Sequence, residues 1–276
     1  MNPGPAEETI TVPPGNGGRS IEDLLLTVSA SRLTTFHQCR LRFWFRYLSG
    51  IVKPKPAALH LGSSVHETLK FWNRARWHRQ TPSLRDLHDA FSRAWAELRE
   101  AEPPKFEDED GEKQTGWKLL ETYFRESPIP GDEKPEAVEV SVEADLSAHG
   151  LPTLVGVLDL VRPGGRIVDF KTSGKTPDPE QVAHTTETQT TGYALLYREA
   201  TGHTESGIEI HTLVKTKAPK LIVTALPPAT AAQVTRLFRG IESYVAGLER
   251  EDFVPSPGLQ CASCEFFNEC RRHWCH

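Results

Sequence analysis

Residues 156–171 read Gly-Val-Leu-Asp-Leu-Val-Arg-Pro-Gly-Gly-Arg-Ile-Val-Asp-Phe-Lys, and they indicate the centre of a β-sheet. They predict two strands joined by a hairpin turn at residues 162–165, because a Pro-Gly-Gly run between apolar segments is a turn signal. Alternate residues of a strand share a face, so Asp169 and Lys171 point the same way and the residue between them points into the core. If the strands pair around the turn, Asp159 reaches that face too.

Two carboxylates beside an ammonium group suit the cleavage of phosphate esters. The carboxylates hold a hard cation that activates water and offsets developing charge. The lysine stabilises that charge or orients the reacting groups. An Asp-x-Lys pattern alone is common on solvated strands. Here the neighbouring residues are apolar and both strands read as buried, and a buried charge is costly unless it is paired or bound to metal. The pattern therefore favours a metal site over a solvated face.

Cysteines form the second informative feature. Those that fall into a pattern are Cys39, Cys261, Cys264 and Cys270. The N-terminal region has no basic segment followed by an apolar run, so we expect a cytoplasmic protein whose clustered cysteines bind metal rather than form disulfides. Zinc is one option, for which His273 or His276 could replace a thiolate. An iron–sulfur cluster with four cysteines fits at least as well. Cys275 lies outside the pattern.

The order of these and other short motifs resembles the PD-(D/E)XK nuclease superfamily. Within it, the likeness is to the RecB-like and AddB-like exonuclease clade with a 4Fe–4S cluster, which includes CRISPR-adaptation nucleases. It covers residues 29–270. The motifs are Ser29-Ala-Ser31-Arg-Leu33, Phe36-His-Gln-Cys39, Gly62-Ser-Ser-Val-His66, Gly156-Val-Leu-Asp159, Asp169-Phe-Lys171, Gln189-Thr-Thr-Gly-Tyr193 and the three C-terminal cysteines. One departure is Arg40, where these proteins often carry proline; it concerns turn geometry rather than ligation.

The resemblance implies a role for each motif residue. The implied ligands of a catalytic Mg2+ or Mn2+ are His66, Asp159, Asp169 and the backbone carbonyl of Phe170. Lys171 would position or activate the attacking water, and the four cysteines would hold the 4Fe–4S cluster. Gln189 and Tyr193 stand four residues apart, so they share one helix face, and they would orient the active site and the DNA strand. Without the resemblance, a single histidine such as His66 is more often structural.

Other candidate contacts come from charge patterns. The net charge of −5 predicts that DNA binding must use local basic patches. One patch has Arg40, Arg42 and Arg46 among aromatic residues, and the other has Arg74, Arg76, His78 and Arg79 beside Trp72 and Trp77. Basic groups could follow phosphates while aromatic rings stack on unpaired bases, or the rings could be core residues with solvated arginines at their edge. Glu143 could also face the site, although alternating glutamates usually mark a solvated face.

The predicted fold class is α/β: a mixed central sheet of four or five strands flanked by helices, with a restriction-endonuclease-like core. Residues 1–20 read as a disordered tail and 21–276 as one domain, with a helical insertion at 62–130, the core at 136–226 and a cysteine-rich tail at 250–276. Helices are predicted near residues 31–48, 62–80, 84–100, 116–126, 179–200 and 229–249. Strands are predicted near residues 136–145, 153–161, 166–171, 207–215 and 220–226. Residues 103–115 read as an acidic linker.

The function that the resemblance implies is a metal-dependent exonuclease acting on DNA ends in recombination, repair, or phage or CRISPR DNA processing. Single-stranded ends are the favoured substrate. The sequence has no Gly-x4-Gly-Lys-[Ser/Thr] loop, so unwinding would come from a partner such as a helicase. An alternative is a DNA-binding subunit that is inactive without its partner. Another is a zinc-stabilised structural protein, against which the complete set of polar motif residues argues. No stretch is long and apolar enough to span a membrane.

Overall fold

The computed structural model describes residues 18–274 of the chain. The predicted tail at residues 1–20 lies mostly outside this range, and Cys275 and His276 lie wholly outside it. The helices are α1 (Ile21–Leu26), α2 (Ala30–Gln38), α3 (Arg40–Phe43), α4 (Ala57–Trp77), α5 (Leu84–Ala101), α6 (Glu109–Glu126), α7 (Pro179–Thr185), α8 (Glu187–Thr201), α9 (Ala231–Glu249) and α10 (Phe267–Trp274). A π-helical turn (Trp44–Leu48) follows α3. Within the described residues, no helix is long and apolar enough to cross a membrane.

The strands form one mixed sheet. They are β1 (Thr27–Val28), β2 (Ala137–Ala144), β3 (Thr153–Arg162), β4 (Arg166–Ser173), β5 (Gly207–Val214) and β6 (Lys220–Leu226). Strand β3 pairs with β2 along one edge and with β1 and β4 at the two ends of its other edge, and β5 and β6 follow β4 in that order. The β3–β4 hairpin turns at the predicted position, with Arg162 opposite Arg166. The pairs β1–β3 and β4–β5 are parallel, whereas β2–β3 and β5–β6 are antiparallel.

Helices cover both faces of the sheet. Helices α2, α8 and α9 pack on one face through residues such as Phe36, Tyr193 and Tyr244. Helices α4, α5 and α6 pack on the other face against Phe170 and Leu213. A strand buried on both faces must be apolar throughout, and this explains the near-continuous apolar runs of β3 and β4. The predicted α/β class with a mixed sheet is confirmed.

The edge of β3 that faces β4 is paired only at its two ends. Residues 160–162 of β3 pair with residues 166–168 of β4, and residues 153–154 pair with β1. Between these pairings, no described strand partners residues 155–159 on this edge, since β2 occupies the other edge. The gap opens a window in the sheet at the level of Asp159.

At the level of Asp159, the alternation of side chains along β2 is reversed, so that residues two apart lie on opposite faces of the sheet. Val138 packs against the α4–α6 core, whereas Val140 packs against the α2–α8–α9 core. These residues are two apart and would share a face in a regular strand. Glu139 lies between them with φ of 50°, a left-handed conformation that reverses the alternation. On β3, Leu158 and Leu160 divide between the two cores in the same way.

Several predicted boundaries differ from the structure. Helix α6 begins at Glu109, so half of the predicted acidic linker is helix. Its Asp108 cap accepts a hydrogen bond from the N–H of Gly111, and acidic residues in the first turn favour the positive end of the helix dipole. The single helix predicted over residues 31–48 breaks at Cys39, whose backbone is extended. The helix predicted over 179–200 divides at Thr186.

Candidate active site

A cleft of about 670 Å³ opens at the window between β3 and β4. Its walls come from the first turns of α2, from α4 and α8, and from β2, β3 and β4. The sequence-predicted site residues that line it are His66, Asp159, Phe170, Lys171, Gln189 and Tyr193. Asp169 is only 1% exposed and meets the cleft through its hydrogen-bond partners. The structure therefore brings the predicted catalytic and metal-binding residues together in one place.

One half of the site joins α4 to the two strands. The carboxylate Oδ2 of Asp159 accepts a 3.0 Å hydrogen bond from the backbone N–H of Phe170, across the point where β3 and β4 separate. His66 Nδ1 lies 3.6 Å from the same Oδ2, and His66 Nε2 lies 2.6 Å from the carbonyl oxygen of Phe170. A carboxylate oxygen, an imidazole and a backbone carbonyl thus converge.

The other half is centred on Asp169. Lys171 Nζ lies 3.2 Å from Oδ1 and 3.0 Å from Oδ2 of Asp169, as two residues on one strand face allow. Gln189 Nε2 and Tyr193 Oη, one turn apart on α8, donate to Oδ1 over 3.1 and 3.2 Å. Gln189 Nε2 also lies 2.6 Å from Tyr193 Oη. Apart from the ion pair with Lys171, the buried Oδ2 has no hydrogen-bond partner among the described residues.

Glu139 is a site residue that the sequence analysis missed. The flanking pairs Val138–Leu160 and Val140–Leu158 place Glu139 opposite Asp159. Ligand atoms of Glu139, Asp159 and His66 all lie within 4.8 Å of one another, close enough to share one metal ion. Glu143, the glutamate considered from the sequence, is exposed and does not line the cleft. The cross-strand register distinguishes the two glutamates, and local sequence alternation does not carry that information.

Burial and mutual repulsion raise the pKa values of acidic groups in the cleft. Burial, followed by the negative charge of Asp169, raises the pKa of Asp159 to about 6, although His66 opposes the shift. Burial also raises the pKa of Glu139, against the nearby positive charge of Lys70. The Tyr193 hydroxyl has a raised pKa because it is buried beside Asp169 and Asp159. A cluster of carboxylates with raised pKa values favours binding of a cation.

The four patterned cysteines line a second, smaller cavity. It measures about 60 Å³ and lies among Leu41, Phe45 and Phe266, which form a separate apolar cluster. Cys39 comes from the junction of α2 and α3, and the other three come from the C-terminal segment. Burial raises the pKa of the Cys264 thiol. Cysteines that are far apart in the sequence therefore meet at one site.

Ion pairs join the N-terminal helices to the C-terminal segment around this cavity. Arg42 and Arg46 both pair with Glu265, and Lys53 pairs with Glu269 over 2.6 Å. These arginines were predicted from the sequence to contact DNA, and here their charges meet a carboxylate of their own chain. In the second basic patch, Arg76 is buried with its guanidinium 4.5 Å from the ring centre of Trp72. The other residues of this patch, Arg74, His78 and Arg79, are exposed.

Comparisons with known proteins agree with this geometry. The model of the PD-(D/E)XK nuclease superfamily matches residues 27–271. A solved structure of a proposed exonuclease from Eubacterium rectale aligns with a TM-score of 0.60 at 15% identity, covering 92% of this chain and 90% of that chain. Another solved structure, of SSO0001, aligns with a TM-score of 0.40 at 14% identity over 92% of each chain. A search of curated proteins found no match.

The family match spans nearly all described residues, including every strand given above, helices α2 to α9 and the residues that line both cavities. At 15% identity, the likeness to the Eubacterium rectale protein is a likeness of fold. The sheet that divides at Asp159, the Asp-x-Lys strand and the helical Gln and Tyr lie within the matched range. The chain belongs to the PD-(D/E)XK nuclease superfamily.

Proposed function

We propose that this protein is a metal-dependent exonuclease that hydrolyses phosphodiester bonds at DNA ends, with a preference for single-stranded ends. The observation that carries the proposal is the meeting of Glu139, Asp159 and His66 beside the Asp169–Lys171 pair in one open cleft. Nucleases of this superfamily use divalent metal ions, and the Eubacterium rectale structure, named as a proposed exonuclease, supports action at DNA ends.

The donor set fits Mg2+ or Mn2+. The residues that would hold the ion are His66, Asp159, Glu139, Asp169 and the backbone carbonyl of Phe170. Oxygen donors predominate, as hard cations prefer, and an imidazole is compatible with Mn2+. The buried Asp169 Oδ2 contacts only the ammonium group of Lys171 among the described residues, so its remaining lone pair can serve a metal ion. When bound, the ion supplies Lewis-acid polarisation of the phosphate and a lowered pKa for water.

Lys171 contributes charge where negative charge develops. Its Nζ lies at the cleft, paired with Asp169 on one side. From there it can donate to the attacking water or to a phosphate oxygen and stabilise the transition state. Gln189 and Tyr193 act through Asp169, because both donate to its Oδ1 and so fix the direction of Oδ2. They are positioning residues, and Tyr193 also lines the cleft where it can contact the DNA strand.

We further propose that Cys39, Cys261, Cys264 and Cys270 hold a 4Fe–4S cluster. The likeness of the cysteine spacing to that of cluster-binding relatives favours the cluster, and the four cysteines border one cavity of about 60 Å³. The cluster would supply a covalent link between the N-terminal helices and the C-terminal segment. That role is structural, and the ion pairs of Arg42, Arg46 and Lys53 support it. Zinc is the alternative, and metal analysis separates the two.

The biological setting that the sequence resemblance suggests is recombination, repair, or phage or CRISPR DNA processing in the cytoplasm. In such a setting a helicase or another partner protein could supply single-stranded ends. The second candidate function is a DNA-binding subunit whose nuclease site needs a partner. It is favoured only if the isolated chain binds DNA without cleaving it.

The test compares end-labelled linear DNA, single- and double-stranded, with covalently closed circular single-stranded DNA, in Mn2+ and in EDTA. We expect shortening of the linear strands from an end in Mn2+ only, with the circle left intact. Cleavage of the circle at a comparable rate would show an endonuclease. Binding of linear DNA without cleavage under any metal condition would favour the partner-dependent subunit.

A further inference from the structure

Two exposed apolar side chains line the active-site cleft. Val157 on β3 and Leu59 on α4 both line the cleft, and they are 41% and 57% exposed. Single exposed apolar residues are common on protein surfaces, but these two face one concave cavity beside carboxylates. Neither takes part in the metal-binding or proton-handling groups described above, so the catalytic site does not account for them.

Val157 and Leu59 each lie close in sequence to a candidate metal ligand. Val157 precedes Asp159 by two residues, a rise of about 7 Å along a strand. Leu59 precedes His66 by seven residues, which is two helical turns or about 10 Å along the same face of α4. Each residue therefore lies within about 10 Å, along its own element, of a residue that would hold the metal ion. The sugar and base of a nucleotide span such a distance.

We propose that Leu59 and Val157 form a subsite for the base of an unpaired nucleotide next to the scissile phosphate. This inference rests on the proposed nuclease function. Every base has an apolar π-face, so contact with two aliphatic side chains binds each base similarly and gives little sequence preference. The hydroxyl groups of Ser29 and Ser31, 3.1 Å apart at the start of α2, line the same cleft and offer hydrogen bonds to the sugar or base.

The size and position of the cavity favour a nucleotide over a protein partner as its ligand. A volume of about 670 Å³ falls within the range of small-ligand sites, about 300–1,000 Å³. The cavity is also continuous with the metal-binding groups, so a ligand that fills it joins a phosphate to an apolar, planar group. A nucleotide at the end of a strand has that chemistry.

The subsite explains a preference for single-stranded ends. A base in a duplex is stacked and paired, so it must leave the helix before its face can contact Leu59 and Val157. An unpaired end has no pairing to break. We therefore expect frayed or mismatched duplex ends to be cleaved faster than fully paired ends.

The variants Leu59→Ser and Val157→Thr test the subsite, because both positions are exposed and the changes leave the fold intact. Matched controls are Leu84→Ser, on the exposed face of α5, and Val223→Thr, on β6, where the parent side chains are 61% and 39% exposed. The substrates are a labelled single-stranded oligonucleotide and the same strand with abasic residues at its three terminal positions at each end.

We expect Leu59→Ser and Val157→Thr each to raise the KM for the normal strand about fivefold or more, with kcat within about twofold of the parent. The controls should match the parent. On the abasic strand, all variants and the parent should have the same raised KM. The subsite would be overturned if the parent had the same KM for the normal and the abasic strand. It would also be overturned if the two variants had the parent's KM for the normal strand.

Failure of the proposed function has a different signature. If the parent cleaves no substrate, fluorescence anisotropy with the same strands in Ca2+ still measures the contribution of the base to binding. Tighter binding of the normal strand than the abasic one, lost in Leu59→Ser, would support the subsite even then. Equal binding of both strands by the parent would exclude it. Cleavage by the parent without sensitivity to these changes would reject the subsite and leave the nuclease assignment standing.

Discussion

Glu139 and Asp159 face each other across β2 and β3, and Glu139 adopts a left-handed backbone with φ of 50° to do so. A bulky residue in this conformation costs about 1–3 kcal/mol and persists where the surrounding structure enforces it. Here the conformation turns Glu139 towards His66 and Asp159. Backbone strain, buried charge and convergent ligands thus coincide at a single level of the sheet, which is the pattern expected of a functional site.

Replacement of Glu139 by glycine should distinguish the stability cost of its positive φ from the contribution of its carboxylate to metal binding. Glycine adopts a positive φ without a Cβ clash, so we expect Glu139→Gly to raise the stability of the metal-free protein by about 0.5–1 kcal/mol. The same change removes a candidate ligand and should weaken Mn2+ binding. Urea denaturation and Mn2+ titration measure the two effects. Glu251→Gly, at φ of 51° and away from the cleft, is the control that should gain stability without losing metal affinity.

Asp159→Asn should stabilise the metal-free protein at neutral pH. The pKa of Asp159 is raised from about 3.9 in the unfolded chain to about 6 in the fold, so its favourable contribution exists at low pH and is lost as pH rises through about 6. Asparagine avoids that loss and can still accept the hydrogen bond from Phe170. We expect a gain of about 1–3 kcal/mol at pH 7.5 and almost none at pH 4. A loss of stability at pH 7.5 would contradict the burial of this charge.

Tyr193→Phe tests the positioning of Asp169. The change removes one donor to Asp169 Oδ1 and keeps the packing of the ring. We expect kcat to fall about tenfold and the Mn2+ concentration for half-maximal activity to rise, with little change in melting temperature. Tyr197→Phe, one turn later on α8 and equally buried, is the matched control and should behave as the parent. Equal activity of the two variants would show that Tyr193 does not position the carboxylate.

Cys264→Ser tests the cysteine site independently of catalysis. We expect loss of bound iron and of visible absorbance, and a lower melting temperature, because the C-terminal segment loses its link to Cys39. Cys275→Ser, outside the predicted pattern, should retain iron. Zinc in place of iron in the parent protein, measured by elemental analysis after anaerobic purification, would identify the alternative metal. Unchanged metal content in Cys264→Ser would remove this residue from the site.

The sequence predicted the hairpin, the Asp-x-Lys face and the sheet class because these depend on local alternation and turn signals. Strand β1 was missed because two residues give no pattern, and the early start of α6 was missed because its acidic first turn reads as a solvated linker. Glu139 was missed because its place depends on pairing with β3 and on a positive φ, neither of which local alternation encodes. The arginines at 42 and 46 looked available for DNA because their partner, Glu265, is remote in the sequence.

The variant Lys171→Ala, assayed for Mn2+ binding and for cleavage of end-labelled single-stranded DNA, tests whether this cleft is the nuclease active site. Lys171 lines the cleft beside Asp169 without ligating metal, so its loss should leave Mn2+ binding intact or slightly tighter. Cleavage should fall about 10²–10³-fold, since the group that stabilises developing charge is gone. Cleavage within a few fold of the parent, with Mn2+ still bound, would place the chemistry elsewhere on the molecule.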